Sequence, residues 1–526
     1  MTAAADLPAD LLAFFTRPAS YPHPVDEVVH RQTHISHLFF AGGFVYKVKK
    51  PVDLGFLDFT TLAKRRAACE AEVRLNRRIA PEIYLGVVEV RRSPAGYAFG
   101  GRGEPVEVAV KMRRLPQEWR LADAVEAGTA DPEVLRRLGR LVADFHRRAE
   151  TSPRIAEFGS RAVIATNWEE NFEQTKPYVG RTIEEVQWRE TRDEVVRMLR
   201  VHAGVFDRRV REGRIRDCHG DILPEDVFVD PATGAIHVLD CIEFNERFRF
   251  SDTLADVAFV SMDLRARGRE DLAEAFLDAY FEASDDERHP HLLAFYECYR
   301  AYVRGKVRSF VTDQPGVPAD ERARAADEAR RYFVLAHRLA RAMRPRLVLV
   351  AGLMGSGKTT LAANLARRAF AEVRHSDRVR KTLAGLDPAT PQRVPYGEGI
   401  YRPEWTERTY RAMLDDARAA LADARSVVLD ATWSRAAWRA EARRVAAELE
   451  ARFLIVECRA PDATLRERLE RRRPGAQPSD GRAELLAAQR AAYEPVRPDE
   501  ADRVLVVETT GEPQELARRV YAEAFA

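Results

Sequence analysis

Residues 350–361 read Val-Ala-Gly-Leu-Met-Gly-Ser-Gly-Lys-Thr-Thr-Leu. They hold Gly352-x4-Gly357-Lys358-Thr359, a complete phosphate-binding loop. The apolar run Leu347-Val348-Leu349-Val350 precedes it, and Leu361, Leu365 and Ala366 follow at helical spacing. Strand, glycine turn and helix is the context this motif needs. Its glycines let backbone N–H groups approach phosphate oxygens and point at them. Gly352, Gly355, Ser356, Gly357, Lys358, Thr359 and Thr360 are the expected nucleotide-binding residues. Lys358 is expected to reach the β- and γ-phosphates, with the Thr359 hydroxyl on Mg²⁺. A helix-capping glycine turn accounts for the glycines but not for Lys358-Thr359.

Around this loop the chain alternates strands and helices. Strands are expected at 347–351, 427–430, 453–457 and 504–507, with a short one near Val373. Helices are expected at 358–370, 404–424, 434–450, 461–472 and 481–493. Such alternation implies an α/β unit, a parallel sheet covered by helices on both faces. Its boundary lies near Met343-Arg344-Pro345-Arg346, after a long charged helix over 319–342, because proline is a common helix stop.

This half resembles the small P-loop kinases: gluconate- and adenylate-kinase-like enzymes, polynucleotide 5′-kinases, and zeta-toxin or chloramphenicol-phosphotransferase-like proteins. The resemblance covers about 345–526 and rests on three further features. His375-Ser376-Asp377-x2-Arg380-Lys381 follows the second strand. There the resemblance implies that Asp377 contacts the acceptor hydroxyl and Arg380 helps hold substrate. A carboxylate beside the γ-phosphate can orient and deprotonate an alcohol, although Ser376-Asp377 also read as a helix N-cap. Asp430, ending Val427-Val428-Leu429-Asp430 before Ala431-Thr432, is the expected second metal-ordering carboxylate. Arg466, Arg468, Arg471, Arg472 and Arg473 precede Pro474-Gly475, the expected tip of a lid. Arg472 is the expected catalytic arginine, since a guanidinium fork neutralises charge on a transferring phosphoryl group.

The first part of the chain is built differently. Residues 38–49 read as a hairpin around Ala41-Gly42-Gly43, followed by a helix near 61–79 and strands near 84–91 and 106–112. Beyond Leu121 helices dominate, and Leu135, Leu138, Val142 and Phe145 mark one buried helical face. A small sheet-rich lobe followed by a larger helical lobe is an α+β outline.

Cys218-His219-Gly220-Asp221-Ile222-Leu223-Pro224-Glu225-Asp226-Val227 and then Val238-Leu239-Asp240-Cys241-Ile242-Glu243 carry a second resemblance. They are similar to the aminoglycoside phosphotransferase and protein-kinase-like superfamily, whose catalytic loop is His-Gly-Asp-x4-Asn. The resemblance spans about 25–340 and implies a bilobal kinase-like fold, with Ala109–Arg113 as the hinge. It implies Asp221 as the residue that aligns the acceptor hydroxyl or accepts its proton, Asp240 as a Mg²⁺ ligand, and Lys47 paired with Glu72 on the ATP phosphates. Lys49 shares a strand face with Lys47 and stays an alternative. Ser251-Asp252-x3-Asp256 resembles the acidic helix start that braces the catalytic loop. His219 reads as structural, and His146 as a packed helix histidine. Two departures stand out: the family's metal-binding Asn is Asp226 here, and Thr33–Ser36 is a poor glycine-rich loop.

Composition bounds the rest. With 526 residues the chain is too long for one core. Domains are expected at 25–340 and 345–526, behind an N-terminal extension over 1–24. Charged residues make up 32% while the net charge is only +2, so nothing global calls for nucleic acid or an anionic membrane. Five scattered cysteines without a Cys-x-x-Cys pair argue against a disulfide framework or zinc site and fit a reducing cytoplasm. The expectation is an ATP- and Mg²⁺-dependent tandem kinase acting on a hydroxyl of a sugar-like or nucleoside-like small molecule, with no membrane partner. Two alternatives remain. One is a nucleic-acid 5′-hydroxyl kinase, with Trp405, Trp433 and Trp438 beside Arg402, Arg435 and Arg439 as a platform. The other is a regulatory protein whose kinase-like half gates the P-loop half.

Overall fold

A computed structural model describes residues 7–55, 57–388, 390, 392, 394–395, 397–471 and 481–525. The chain divides into two compact units. The first comprises Met1–Thr175, Arg209–Glu287 and Tyr299–Leu335; the second comprises Lys176–Arg208, Arg288–Cys298 and Ala336–Ala526.

In the first unit, six strands form an antiparallel sheet: β1 (Val28–Gln32), β2 (Ser36–Ala41), β3 (Phe44–Lys49), β4 (Tyr84–Ser93), β5 (Gly96–Phe99) and β6 (Glu104–Arg113). Their order is β1-β2-β3-β6-β4-β5. The β2–β3 hairpin pairs Ala41 with Phe44, so its tip is the expected Gly42-Gly43. Helix Leu62–Asn76 lies against β4 and β6. A helix at Ala9–Thr16, within the expected extension, buries Leu11, Phe14 and Phe15 with Phe39, Tyr46 and Val90 of the sheet. β1, β5 and this helix are findings the sequence pattern did not announce.

The larger lobe is helical. Helix Pro132–Arg148 buries Leu135, Leu138, Val142 and Phe145, the expected stripe. Short antiparallel ribbons pair β7 (Ile215–Asp217) with β10 (Phe250–Asp252) and β8 (Val227–Val229) with β9 (Ile236–Val238). They set the two loops that carry Asp221 and Asp240. A small antiparallel lobe and a helical lobe make the bilobal kinase-like architecture.

In the second unit, β11 (Arg346–Ala351), β12 (Glu372–His375), β13 (Val427–Asp430), β14 (Arg452–Arg459) and β15 (Arg503–Glu508) form a sheet in the order β12-β13-β11-β14-β15. Every pairing is parallel. Side chains alternate across a strand, and here both faces are buried. Leu347 and Leu349 join Phe453, Ile455 and Trp433 on one side. Val348 and Val350 join Leu365, Leu454 and Val456 on the other. That is why β11 reads as an unbroken apolar run. Helix Lys358–Ala369 starts directly after the glycine loop.

One expected element is corrected. Residues 481–493 hold only a 3₁₀ turn at Ala483–Leu485 and a short helix at Leu486–Ala491. Their alanine-rich, charged sequence has helical propensity but offers little besides Leu486 to bury, and packing rather than propensity sustains a helix. Among the described residues all five cysteines are free and buried. No described helix is long and apolar enough to cross a membrane.

Candidate functional sites in the two units

The P-loop begins where β11 ends. Gly352 has φ 133°, and a Cβ there would lie 2.4 Å from the Cys458 carbonyl oxygen. Gly357 has φ 80° and caps helix Lys358–Ala369. Both positions exclude a side chain, one by contact and one by conformation. The loop N–H groups thus meet the positive end of a 12-residue helix, a ready anion site. Lys358 Nζ donates to the Leu353 carbonyl at 2.8 Å, folding back over the loop. Arg468 ties the loop from outside, donating to the Thr509 carbonyl at 2.6 Å and to Thr509 Oγ1 at 3.1 Å.

A cavity of about 420 Å³ opens beside this loop, lined by Lys358, Thr359, Asp377, Arg380, Asp430 and Trp438 among others. Gly355, Gly357 and Thr360 also line it. Asp430 ends β13 and is 5% exposed. His375, at the end of β12, donates from Nδ1 to Asp430 Oδ2 at 2.8 Å, fixing the carboxylate. Parallel pairing sets the two residues opposite each other. Asp377 lies in the first turn of helix Ser376–Leu383 and accepts from Arg380 at 3.1 Å. It is not the N-cap: His375 holds that position and makes no side-chain cap bond. Ser356 points inward, and its buried Oγ has no hydrogen-bond partner.

One residue here was not singled out from sequence. Gln489 bridges the loop to the segment after β13, accepting from Met354 N at 2.7 Å and donating to Thr432 Oγ1 at 3.2 Å. Arg472, the expected catalytic arginine, lies with Arg473 outside the described residues. Arg471 pairs with Glu467 and has a side chain 79% exposed, a solvated helix face. Two of the residues offered for a nucleic-acid platform lie in the core, while Trp438 and Arg435 line the cavity. Trp433 is wholly buried against Tyr410, and Arg439 is wholly buried on Glu500 and the Trp433 carbonyl. Neither is available to stack on a base.

In the first unit a chain of charges runs from the buried Lys49, Glu72 and Lys47 out to the half-exposed Asp240. Lys47 Nζ lies 2.9 Å from Glu72 Oε1 and 2.5 Å from Asp240 Oδ1. Lys49 Nζ lies 2.5 Å from Glu72 Oε2 and also meets Glu243. Both lysines of β3 therefore use Glu72, one on each oxygen, and Lys47 is the one that reaches Asp240. Burial works against the Lys47 ammonium, yet Asp240 and Glu72 beside it raise its pKa well above the ordinary value. Crowding by protein disfavours charge on Asp240, but Lys47 holds its carboxyl below the usual carboxylate range.

Asp240 has φ 68°, an uncommon conformation for a residue other than glycine. Four hydrogen bonds impose it. Leu239 N donates to the Asp226 carbonyl at 3.0 Å and Ile242 N to the His219 carbonyl at 3.1 Å. Asp240 N donates to Tyr84 Oη at 3.1 Å and Cys241 N to Asn76 Oδ1 at 3.0 Å. Asn76 stands one turn after Glu72, so a single helix pairs the lysines and sets the aspartate.

The catalytic-type loop is fixed from below. Asp256 accepts from the N–H groups of His219 and Gly220, each at 2.7 Å, and from His146 Nε2 at 3.2 Å. His146 is thus a packed structural residue, its other nitrogen on Tyr280 Oη at 2.9 Å. Burial lowers the pKa of His219 to about 4, which keeps the ring neutral. Burial raises Asp221 to about 6, against the opposing pull of Arg304 and Arg300. Asp226 is held well above the carboxylate range by burial, then by Asp240 and Asp221. Such crowded carboxylates form a site a divalent cation would relieve, and their oxygens suit a hard ion. Thr359 and Asp430 offer the same donor type beside the P-loop.

The Phosphotransferase enzyme family model matches residues 55–296, and an AAA domain model matches residues 347–496. The uncharacterized proteins Rv2004c of Mycobacterium tuberculosis and Mb2027c of Mycobacterium bovis are each 34% identical over 469 residues, covering 89% of this chain and 91% of theirs. Among solved structures, a sugar kinase from Janibacter sp. HTCC2649 is 21% identical over 34% of this chain and 93% of its own, with a TM-score of 0.26. A choline/ethanolamine kinase family protein from Mesorhizobium loti is 14% identical over 61% of this chain and 94% of its own, with a TM-score of 0.34. The chain belongs to the family of these mycobacterial proteins and is a phosphotransferase, an aminoglycoside-phosphotransferase-like, protein-kinase-like domain joined to a P-loop kinase domain in one polypeptide.

Proposed function

We propose that the chain is a cytoplasmic tandem kinase, with domains over 25–340 and 345–526, that transfers the γ-phosphoryl group of ATP to a hydroxyl of a small sugar-like or nucleoside-like molecule. The observation that carries this reading is the shared lining of one cavity by Lys358, Thr359, Asp430 and Asp377. A phosphate cradle, two oxygen donors for a cation and a carboxylate for the acceptor stand within a single space. That is the set phosphoryl transfer requires, because positioning and charge neutralisation carry its catalysis.

In this reading Lys358 leaves the Leu353 carbonyl for the β- and γ-phosphates, and Asp377 orients the acceptor hydroxyl and takes its proton. Arg380, tied to Asp377, holds that carboxylate in place. Thr359 and Asp430 would hold Mg²⁺ here, as Asp226 and Asp240 would in the kinase-like domain. When bound, Mg²⁺ would supply positive charge to the phosphates at both sites. In the kinase-like domain Lys47, aligned by Glu72, contacts the α- and β-phosphates, and Asp221 receives the acceptor.

A regulatory reading of the first domain draws support from one contact: Lys47 is spent on Asp240 as well as Glu72. Radiolabelled transfer from ATP separates the readings. With an acceptor screen run on Lys358→Ala and Asp221→Asn chains, each variant should lose a different product. If Lys358→Ala alone abolishes all transfer, the first domain is not an independent kinase.

A further inference from the structure

Helix Pro290–Val311 brings two arginines to the loop that carries Asp221. Arg300 is 6% exposed, and its Nε donates to the Ala255 carbonyl at 3.0 Å, one residue before the loop-bracing Asp256. Its guanidinium lies 3.9 Å over the Phe259 ring. It forms no ion pair with a carboxylate among the described residues. Arg304 stands one turn further along the same face and meets Glu225 at 3.0 Å, four residues after Asp221. Its Nε is buried without a hydrogen-bond partner. Asp256 is already engaged by His219, Gly220 and His146.

A buried guanidinium without a counter-charge is costly, and stacking on one phenyl ring offsets only part of that. An incoming anion would complete the arrangement, since arginine's planar fork matches oxyanions. Both arginines lie near enough to Asp221 to oppose the burial-driven rise of its carboxyl pKa. The Arg304–Glu225 pair and the Arg300 bond to the carbonyl just before Asp256 set both guanidiniums against the loop that carries Asp221.

We infer that the kinase-like domain takes an acceptor bearing an oxyanion, a carboxylate or phosphate beside the reacting hydroxyl, with Arg300 and Arg304 as its specificity-determining contacts. A polycationic amino sugar would meet two guanidiniums in the same space and be repelled. The inference rests on the reading of Asp221 as the residue that receives the acceptor.

The test uses the full chain carrying Lys358→Ala, with a non-hydrolysable ATP analogue and Mg²⁺. Sodium gluconate, glucose 6-phosphate, sorbitol and kanamycin are titrated by calorimetry at constant ionic strength. The expected result is binding of at least one anionic probe, weakened about tenfold or more by Arg300→Gln or Arg304→Gln. Arg300→Lys should recover part of it, and kanamycin should not bind. The two anions separate a carboxylate from a phosphate preference. Analogue binding by each variant reports its fold, and Arg304→Gln stands in if Arg300→Gln unfolds. Equal probe binding by parent and both variants, no anion binding by the parent, or tighter binding of kanamycin overturns the inference. Failure of the kinase reading shows elsewhere: Lys47→Met would then leave analogue binding unchanged while the anion arms keep their outcome.

Discussion

Asp221 illustrates how one carboxylate's surroundings set both chemistry and stability. Burial raises its pKa to about 6, from an ordinary value of 3.8. The folded chain therefore holds this proton more tightly than the unfolded chain does. Below about pH 4 both states are protonated and no cost arises; the cost grows through the interval and is complete above about pH 6. Asp221→Asn should accordingly raise stability at pH 7.5 by on the order of 1–2 kcal/mol after allowance for solvent screening, with the gain fading as pH falls from about 6 to about 4 and absent below that. Thermal melts of the two chains across pH check this. The same titration sets the activity limit: transfer by the kinase-like domain in a Lys358→Ala chain should fall as pH drops below about 6, because a protonated Asp221 cannot accept the hydroxyl proton. A flat pH–rate profile between 5 and 7.5 would count against Asp221 in that role. Lys49 makes the complementary case. It is fully buried between Glu72 and Glu243. Lys49→Met leaves two buried carboxylates short of a partner, and should cost about 3–5 kcal/mol in denaturant unfolding.

At the scale of elements, the phosphate-binding loop shows why glycine spacing is so readable. Gly352→Ala would press a methyl group into the Cys458 carbonyl, at a φ that alanine avoids. A loss of on the order of 2–3 kcal/mol follows, together with loss of nucleotide binding at that site. Unfolding curves and nucleotide titration of the variant measure the two effects. Strands β11, β13 and β14 were equally legible, since burial on both faces demands an unbroken apolar run. The limits of legibility are just as physical. β1 (Val-Val-His-Arg-Gln) has an exposed, mixed surface and pairs on one edge only, so its period is faint. The helix over 481–493 was overread because propensity alone does not provide a face to bury. The candidate sites divide the same way. Motif positions such as Asp221, Asp240, Asp377 and Asp430 stand in short stretches that resemble known kinase motifs, and the same resemblance points to Glu72 and to Lys47 with Lys49 as its alternative. Gln489, Arg300 and Arg304 reach their partners across 45 residues or more, and no local pattern marks them. His375 was within a quoted motif, but its bond to Asp430 depends on strand register.

At the scale of the whole molecule, the chain carries a P-loop and a kinase-like loop set, each within its own compact unit. In the proposed reading both bind phosphate, by different means. The P-loop unit presents backbone N–H groups and a helix terminus, with Lys358 folded on the Leu353 carbonyl. The kinase-like unit presents side chains, with the sheet lysine Lys47 already surrounded by acids. This difference makes nucleotide binding separable by mutation. Calorimetry with an ATP analogue and Mg²⁺ should find two binding events per chain, one removed by Lys358→Ala and the other by Lys47→Met. Each should add stability by linkage, about 2.7 kcal/mol when the ligand stands at a hundred times its Kd. Asp226→Asn tests the kinase-like site more finely. It removes one of three crowded carboxylates, so the free protein should become more stable and cation-dependent nucleotide binding at that site should change. If the analogue binds once per chain, and Lys358→Ala abolishes that event, the first unit does not bind nucleotide under those conditions. The gating reading then replaces the tandem one.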